Sequence, residues 1–423
     1  MNINHTLTCT TCDGDADVRF GLSNRSVQPL RFPCPHCGSR IDVTLELGQG
    51  FTYDGAALID ERQPKAAFDN TNPFVDLHLD FPVWPDKYVP GNTPFMIAVS
   101  KVKAGTPEEK VVLLQRHGHR VAQLDALAES SGAIHQVIRL YHGRNKQLFV
   151  QQASSFLKEK PQTSLLGQDL NALLYRFVSS VFEPFVDMNL VRQQVDGFFR
   201  IVVELAGKDR NAFDEMMQRF EDTGFLKNLQ KDCLDLYPEI FNAELALRAA
   251  FFLDVTDDQG RGVSARISTA DFKSYKDLYK DIAEVFGRQL ILVAAINNFQ
   301  KRGKADVFLK PKDGNALSSL DKFAEKTLSE RFKYLDECWY PVDGDAINSG
   351  VRNAIAHFLT EYDDLAQEIT YFPEKEGIRQ ERGETISLID FMRMILLLFR
   401  QLHSLHHLIK ALLYYDLLIR KKE

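Results

Sequence analysis

The sequence has no apolar run long enough to cross a membrane. Its longest uninterrupted apolar stretch runs from Leu290 to Ile296, whereas a membrane-spanning helix needs about 20 such residues. The N-terminal segment MNINHTLTCTTCDGD carries neither the basic patch nor the apolar run of a targeting sequence. We therefore expect a cytoplasmic protein that has no membrane partner.

Positive charge is also scarce. The chain has 51 Lys and Arg against 58 Asp and Glu, for a formal net charge of -7. This balance excludes a protein that coats nucleic acid through a generally basic surface, because such binding depends on many cationic contacts to phosphate. Local basic grooves remain compatible with the sequence, although each is more simply explained as a solvated face. The candidates are Lys301, Arg302 and Lys304, the segment 116–120, and the segment 139–146.

Cysteine is rare, and its placement is informative. Four of the six cysteines form two C-x-x-C pairs, Cys9 with Cys12 and Cys34 with Cys37. Two residues between the thiolates let one tight turn present both sulfurs to a single ion. In a long chain expected to be cytoplasmic, this pattern favours a metal site over disulfides.

The paired cysteines predict a zinc ribbon. Gly38 directly follows Cys37 and allows the backbone to curl back after the second turn. The alternating segment 41–45 then predicts a strand. Four thiolates close the coordination sphere of Zn²⁺, so we expect a structural zinc with no room for an activated water. With four thiolates present, His36 is not expected to bind the metal, and Cys233 and Cys338 are interpreted as packing residues.

Length and pattern predict several folded parts in a mainly α protein. A chain of 423 residues exceeds the roughly 250–300 residues that one core supports. Between the ribbon and the helices lies a stretch rich in Pro and aromatic residues, which predicts strands and loops packed on the ribbon. Thr106-Pro107-Glu108-Glu109 has the composition of a helix start. The predicted parts are a small β zinc ribbon at 1–50, a β/loop segment at 51–105, a helical middle domain at 106–267 and a helical domain at 268–423.

The last part is predicted to be an array of four helices with an inserted β-hairpin. Apolar residues recur at spacings of three and four in each helical segment. The predicted helices run from near Asp271 to Asn298, from near Leu317 to Cys338, from near Asp345 to Asp363, and from Leu388 nearly to the C-terminus. The hairpin is formed by residues 368–372 and 384–386, with a charged tip at 373–383.

Three polar residues on the third predicted helix are the candidate catalytic group: Arg352, Asn353 and His357. On an ideal helix Asn353 and His357, four residues apart, share one face. The opposite face carries an apolar stripe of Val351, Ile355, Phe358, Leu359 and Tyr362. Small residues at Ala346 and Gly350 fall on the motif face, where they would let a second helix approach closely. We therefore expect a homodimer.

This segment resembles the R-N-x-x-x-H motif of the HEPN superfamily, and the resemblance covers residues 268–423. It implies a four-helix HEPN-like bundle and metal-independent RNA cleavage in a cleft between two paired motif helices. It also implies a role in toxin or antiphage defence systems, with a trigger that comes from a phage component or a partner protein.

The chemistry of the residues agrees with that implication. RNA carries its own nucleophile, the 2′-OH, so cleavage needs an acid-base group and a cation for the charge that grows on phosphate. His357 would supply the first and Arg352 the second, while Asn353 would orient the imidazole or hold a phosphate oxygen. The products would be a 2′,3′-cyclic phosphate and a 5′-hydroxyl.

Other interpretations stay open on the sequence alone. A looser Arg-to-His pattern also occurs at Arg31 with His36 and at Arg400 with His406, and a polar helix face needs no function. The protein could be a non-catalytic RNA- or protein-binding module that dimerises through the HEPN-like helices, or an antitoxin-like regulator. His403, His406 and His407 could bind a metal or line the same cleft, but no Cys or acidic pair stands at ligand spacing beside them.

Overall fold

The computed structural model describes residues 1–59, 67–256, 265–312, 314–373 and 382–421. Helices dominate these residues, and short strands occur at the N-terminus and around residues 360–387. The predicted mainly α fold class is therefore confirmed. The chain forms two compact units, each built from three chain segments. Unit 1 contains residues 1–129, 242–277 and 350–396, and unit 2 contains residues 130–241, 278–349 and 397–423. The predicted division after residues 50, 105 and 267 stays a prediction.

Ten strands occur in the described part of the chain, in three sheets ordered β6-β1-β2-β7, β3-β4-β5 and β10-β9-β8. Their bounds are β1 (Asn2–Cys9), β2 (Asp15–Gly21), β3 (Val27–Pro33), β4 (Arg40–Glu46), β5 (Gly50–Asp54), β6 (Ala56–Leu58), β7 (Phe74–His78), β8 (Thr360–Asp363), β9 (Glu368–Tyr371) and β10 (Glu384–Ser387).

The same residues contain fourteen α-helices, with short 3₁₀ turns between some of them. The bounds are α1 (Pro94–Lys101), α2 (Pro107–Ala128), α3 (Ser131–His142), α4 (Lys146–Phe156), α5 (Gly167–Phe182), α6 (Met188–Lys208), α7 (Arg210–Asp222), α8 (Phe225–Asn242), α9 (Glu244–Phe252), α10 (Phe272–Arg302), α11 (Leu320–Ala324), α12 (Leu328–Arg331), α13 (Ser349–Ala356) and α14 (Leu388–Tyr415).

In unit 1 the first four strands are two antiparallel hairpins, and their apolar faces share one core. β1 pairs with β2, and β3 pairs with β4, which confirms the strand predicted after the second cysteine pair. Side chains alternate across each strand, so every second residue points inward. The buried cluster includes Leu7, Val18, Phe20, Leu30, Phe32, Ile41 and Val43.

The segment after the ribbon extends both of its sheets. β5 pairs with β4, β6 pairs with β1, and β7 lies parallel to β2. Backbone hydrogen bonds therefore join this segment to the ribbon, as the aromatic and Pro-rich composition predicted. Helix α2 begins where it was expected, because the side chain of Thr106 caps the helix by accepting a hydrogen bond from the backbone N–H of Glu109.

A fully buried arginine on α9 forms ion pairs with three carboxylates of unit 1. The guanidinium of Arg248 lies 2.6 Å from a carboxylate oxygen of Asp80, 2.6 Å from one of Asp125 and 3.0 Å from one of Glu244. The side chain of Arg248 has no exposed surface. Each of its three nitrogens meets a carboxylate, which offsets the cost of removing the charge from water.

Unit 2 is helical, as predicted for the middle of the chain. Helix α5 is typical of it, because its buried residues recur at spacings of three and four. They include Leu170, Leu173, Leu174, Phe177, Val178 and Val181.

Two of the four predicted C-terminal helices are long, and their predictions are confirmed. They are α10 and α14. An 18-residue window of α10 has the length and composition of a membrane-spanning segment, but 78% of that window is buried inside the protein. Among the described residues no other helix has this property. Such burial is typical of a core helix.

The prediction of one continuous second helix is wrong. Residues 317–338 form α11, α12 and a 3₁₀ turn instead. The reason is local capping, since the side chain of Ser319 accepts a hydrogen bond at the start of α11 and Thr327 forms a capping box with Glu330 at the start of α12. Each cap satisfies backbone N–H groups at a new helix start and so competes with continuation of the preceding helix.

The third predicted helix is much shorter than expected. α13 begins at Ser349 and ends at Ala356, and the chain then enters β8. Strand β8 pairs with β9, which pairs with β10, so the predicted hairpin is confirmed but has a third strand. Most of the predicted hairpin tip, residues 374–381, lies outside the described residues. Residues 360–363, which the helical periodicity had assigned to the motif helix, form a strand instead.

Candidate functional site: a four-cysteine cluster and an exposed motif helix

The four N-terminal cysteines converge in unit 1. Sγ of Cys9 lies 3.8 Å from Sγ of Cys37, and Sγ of Cys12 lies 3.8 Å from Sγ of Cys34. All four sulfurs lie within 4.8 Å of one another. Sulfurs bound at about 2.3 Å to one tetrahedral zinc lie about 3.8 Å apart. The cluster can therefore hold a metal ion, and its donors and spacing fit a structural zinc.

Each cysteine pair lies on the turn of one hairpin. In the first turn Asp13 has a positive φ of 58° and its N–H donates to the carbonyl of Cys9. In the second turn Gly38 has a φ of 75° and donates to the carbonyl of Cys34 in the same way. The left-handed residue after each pair curls the backbone around the sulfurs, which is the role expected for Gly38.

Hydrogen bonding prepares one of the thiols for a metal. Hydrogen bonds with Ser39, through its side chain and then its backbone, lower the pKa of the Cys37 thiol to about 6. The thiolate is the form that binds metals, so this shift favours ligation by Cys37. At Cys12 a backbone hydrogen bond with Gly14 lowers the pKa of the thiol, but the hydrogen bond with Cys37 contributes to a net rise to about 12. The ring of His36 instead makes a hydrogen bond of 2.8 Å between Nε2 and the carbonyl of Asp15, which agrees with its exclusion from the ligand set.

The motif helix α13 ends in a tight reversal of the backbone. The N–H of Phe358 donates to the carbonyl of Ile355, and the N–H of Leu359 donates to the carbonyl of Ala354. Phe358 has a φ of 58°. These two bonds and the left-handed residue define a Schellman motif, in which the left-handed position is usually glycine. The helix therefore ends at Ala356, and His357 occupies the C-cap position.

This ending separates the two halves of the predicted apolar stripe. Val351 and Ile355 are buried, as expected. In contrast Phe358 is 85% exposed, and Tyr362 lies in β8 rather than on the helix. The stripe was predicted by extending a period of 3.6 residues beyond the point where the helix stops. That part of the prediction is wrong.

The three motif residues lie on α13 or at its C-terminal end. Asn353 and His357 are exposed, and Arg352 is half-buried. Nη1 of Arg352 donates to Oδ1 of Asn353 at 3.1 Å. The side chain of His357 makes no hydrogen bond within the described residues. One copy of the chain therefore brings arginine and asparagine together but leaves the imidazole open to solvent.

Sequence reasoning missed two further residues at this site. They are Phe358, which directly follows His357 in the chain, and Lys276. Nζ of Lys276 lies 5.6 Å from the centroid of the Phe358 ring. Lys276 lies in the second turn of α10 and carries no pattern that would mark it. Phe358 belonged to the predicted apolar stripe, so the helical periodicity indicated a buried residue rather than an exposed one.

Contacts within unit 1 connect the ribbon to the elements around the motif. Arg31 of β3 forms an ion pair with Asp271 at the start of α10, and its Nε lies 2.8 Å from a carboxylate oxygen of Asp42. The amide of Gln367, between β8 and β9, exchanges two hydrogen bonds of 2.8 Å with the backbone of Ile267. A cavity of about 170 Å³ lies among these elements, and its lining includes Gly38, Lys273, Tyr362 and Asp364.

The histidines of α14 do not form a metal site. His403, His406 and His407 are each at most 3% exposed, and Oη of Tyr237 lies 2.8 Å from Nδ1 of His403 and 3.0 Å from Nδ1 of His406. Burial lowers the pKa of His403 to about 4 and lowers those of His406 and His407 as well. In the described part of the chain the only group of potential ligands close enough for a metal is the four cysteines.

Three cations in two of the basic segments pair with neighbouring acids. The guanidinium of Arg302 lies 2.9 Å from a carboxylate oxygen of Asp336, and Nζ of Lys301 lies 2.7 Å from one of Glu337. Arg120 pairs with Asp254 at 2.7 Å. These contacts agree with the interpretation of these two segments as ordinary surface.

Comparisons with protein-family models, with curated proteins and with solved structures found no match to this chain.

Proposed function

We propose that this protein is a metal-independent RNA endonuclease of the HEPN type, in which Arg352, Asn353 and His357 form the catalytic group. One observation carries the proposal. The helix that bears the motif presents Asn353 and His357 to solvent, while its apolar residues Val351 and Ile355 face the interior. An imidazole at an exposed helix end can approach a phosphodiester, whereas a histidine packed in the core cannot.

The residues divide the reaction between them. His357 takes the proton of the ribose 2′-OH, or delivers one to the leaving 5′-oxygen, because histidine is the side chain that most often serves as a general acid or base. Arg352 stabilises the charge that grows on the phosphate oxygens. The hydrogen bond between Arg352 and Asn353 fixes the direction of the guanidinium. Cleavage leaves a 2′,3′-cyclic phosphate and a 5′-hydroxyl, and DNA is resistant because it lacks the attacking hydroxyl.

A homodimer is part of the proposal. In one copy the imidazole of His357 receives no hydrogen bond from Arg352 or Asn353, so a second motif helix is needed to complete a cleft. The small residues from which the sequence predicted dimerisation do not both lie on the motif helix, however. Ala346 lies before α13 and has no exposed surface, so it provides no small-residue contact face, whereas Gly350 remains on the helix.

Zinc has a structural role in this proposal. The four thiolates bind one Zn²⁺ and stabilise the hairpins β1–β2 and β3–β4, and they leave no coordination position for a catalytic water. The ribbon strands contact the start of α10 through Arg31 and Asp271. We propose that the ribbon senses a phage-derived or partner-protein trigger in a toxin or antiphage system, and that the protein acts in the cytoplasm.

The test is cleavage of a labelled single-stranded RNA in buffer containing EDTA, with the zinc content of the protein measured in parallel. We expect cleavage by the wild-type protein and a loss of roughly 10²- to 10⁴-fold in His357→Ala. His119→Ala is the matched control, because His119 is an exposed histidine on α2 in the same unit. Equal cleavage by wild type and His357→Ala would rule out the proposed catalytic group.

A second candidate is a non-catalytic module that binds RNA or a protein. The observation that favours it is Phe358, an aromatic ring that is 85% exposed beside the motif. If RNA binds but is not cut under any condition, and His357→Ala binds RNA as the wild type does, this candidate is preferred.

A further inference from the structure

Phe358 combines two unfavourable features at one position. Its φ of 58° lies in the left-handed region, which bulky side chains rarely adopt because Cβ approaches the following carbonyl oxygen. Its ring is also 85% exposed, and apart from Met1 no large apolar side chain in the described residues is more exposed. Local folding would favour glycine or asparagine here. Neither packing nor backbone preference accounts for this phenylalanine.

The other non-glycine residues with a left-handed backbone differ from Phe358 in the kind of side chain they carry. The described non-glycine residues with positive φ are Asp13, Asn70, Lys158, Glu337 and Gln367 besides Phe358. All of these others are polar or charged. An aromatic residue at such a position is a strained feature of the kind that occurs at functional sites.

The surroundings of the ring indicate what it binds. Nζ of Lys276 lies 5.6 Å from the ring centroid, the exposed His357 is adjacent in sequence, and Lys273 is exposed one turn earlier on α10. An aromatic face for a base, together with cations for the phosphates, is the usual arrangement for binding a single-stranded nucleic acid.

We infer that the ring of Phe358 stacks on one unpaired nucleobase of RNA, next to the phosphate that His357 acts on, and that Lys276 contacts the backbone of that nucleotide. The inference rests on the proposed endonuclease function and names its substrate class, which is single-stranded or looped RNA. A base inside a duplex is already stacked on its neighbours, so its face cannot reach the ring.

A second copy of the chain is a less suitable occupant. A stable protein interface buries about 800 Å² on each partner and has an apolar centre. Here one exposed ring lies beside Lys276 and directly follows the exposed His357 in the chain. A single ring of this kind matches the area of one base.

The test uses a fluorescent single-stranded oligoribonucleotide whose 2′-hydroxyls are methylated, so that it binds but cannot be cut. Phe358→Gly should weaken binding by roughly 5- to 150-fold, the range for losing one base–aromatic stack. Phe358→Trp should bind at least as well as the wild type. Thermal melting should show Phe358→Gly folded and no less stable than wild type, because glycine relieves the backbone strain.

Phe358→Ala can be compared with Phe199→Ala as a matched control. Phe199 is an aromatic residue that is 47% exposed on α6, away from the motif in the sequence. Its replacement should leave RNA affinity unchanged. A double-stranded RNA of the same sequence should bind equally to wild type and Phe358→Gly.

Two results would overturn the inference. One is wild-type affinity of Phe358→Gly for the single strand. The other is light scattering that shows a wild-type dimer and a Phe358→Gly monomer, which would assign the ring to a second copy. Failure of the proposed catalysis is distinguishable, since His357→Ala would then cut RNA like wild type while the Phe358 variants still lost binding.

Discussion

Nη1 of Arg352 lies 3.1 Å from Oδ1 of Asn353, and this contact between sequence neighbours leaves the imidazole of His357 outside the pair. The arginine and the histidine are five positions apart, about 140° around an ideal helix. Because α13 ends at Ala356, the helix cannot bring them closer. The proposed catalytic cleft therefore combines groups from two copies of the motif.

The two-copy arrangement predicts complementation between inactive variants. Arg352→Ala and His357→Ala should each lose roughly 10²- to 10⁴-fold in RNA cleavage. An equimolar mixture, after subunit exchange, should cut RNA well above the sum of the two separate activities. One copy then supplies arginine and the other histidine. A mixture no more active than its components would count against a shared cleft.

The cysteine cluster predicts one tightly bound zinc per chain. Cys34→Ser should lose the metal and unfold the first four strands, because the thiolates of Cys9, Cys12 and Cys37 cannot complete a tetrahedral site alone. Zinc is measured by elemental analysis, and the strand content by circular dichroism. Cys338→Ser is the matched control, since Cys338 is half-buried and lies outside the cluster. A zinc-free wild-type protein with intact strands would contradict the structural role.

The buried ion-pair network predicts a large stability effect at Arg248. Arg248→Ala should lower the free energy of unfolding by roughly 3–5 kcal/mol, because it leaves the carboxylate of Asp80 buried without its counter-ion and leaves Glu244 with Arg25 alone. Arg176→Ala is the control, because the pair between Arg176 and Glu159 at 3.2 Å is about half exposed. Such a surface pair contributes roughly 0–1 kcal/mol. Urea denaturation measures both, and equal losses would show that the network does not stabilise the fold.

The histidines of α14 predict that stability falls with acidification. Burial holds the pKa of His403 at about 4 and lowers those of His406 and His407, with the positive charge of Lys410 adding to the effect at the latter two. An unfolded histidine titrates near about 6.5. Between these values the unfolded chain takes up protons that the folded chain does not. Stability is therefore fully present above pH ~6.5 and falls below it, by roughly 1.4 kcal/mol per pH unit for each histidine.

Urea denaturation at pH values from 7.5 to 4.5 measures this dependence. His407→Leu should show a smaller slope, and it should be at least as stable as wild type at neutral pH. Both ring nitrogens of His407 are buried without a hydrogen-bond partner, so leucine removes an unsatisfied polar group. His78 and His117 in unit 1 also have pKa values lowered by burial to about 4, so part of the slope should remain. Stability that does not change across this range would contradict the prediction.

Local sequence patterns predicted a substantial part of this structure. The C-x-x-C spacing predicted the cysteine cluster, because two residues between thiolates geometrically require a tight turn. The cap at Thr106 and the apolar periodicity predicted α2, α10 and α14, since these signals depend only on neighbours in the chain. The exposure of Asn353 and His357 followed from the same periodicity.

Features that depend on distant residues were not predictable in the same way. The sequence determined which residues can bind a metal, which helices are long and which motif residues share a face. Only the tertiary structure decided that α13 stops after two turns, because the pairing of β8 with β9 competes with the helix for residues 360–363. It also decided that Phe358 is exposed beside Lys276, since that contact joins residues 82 positions apart in the chain.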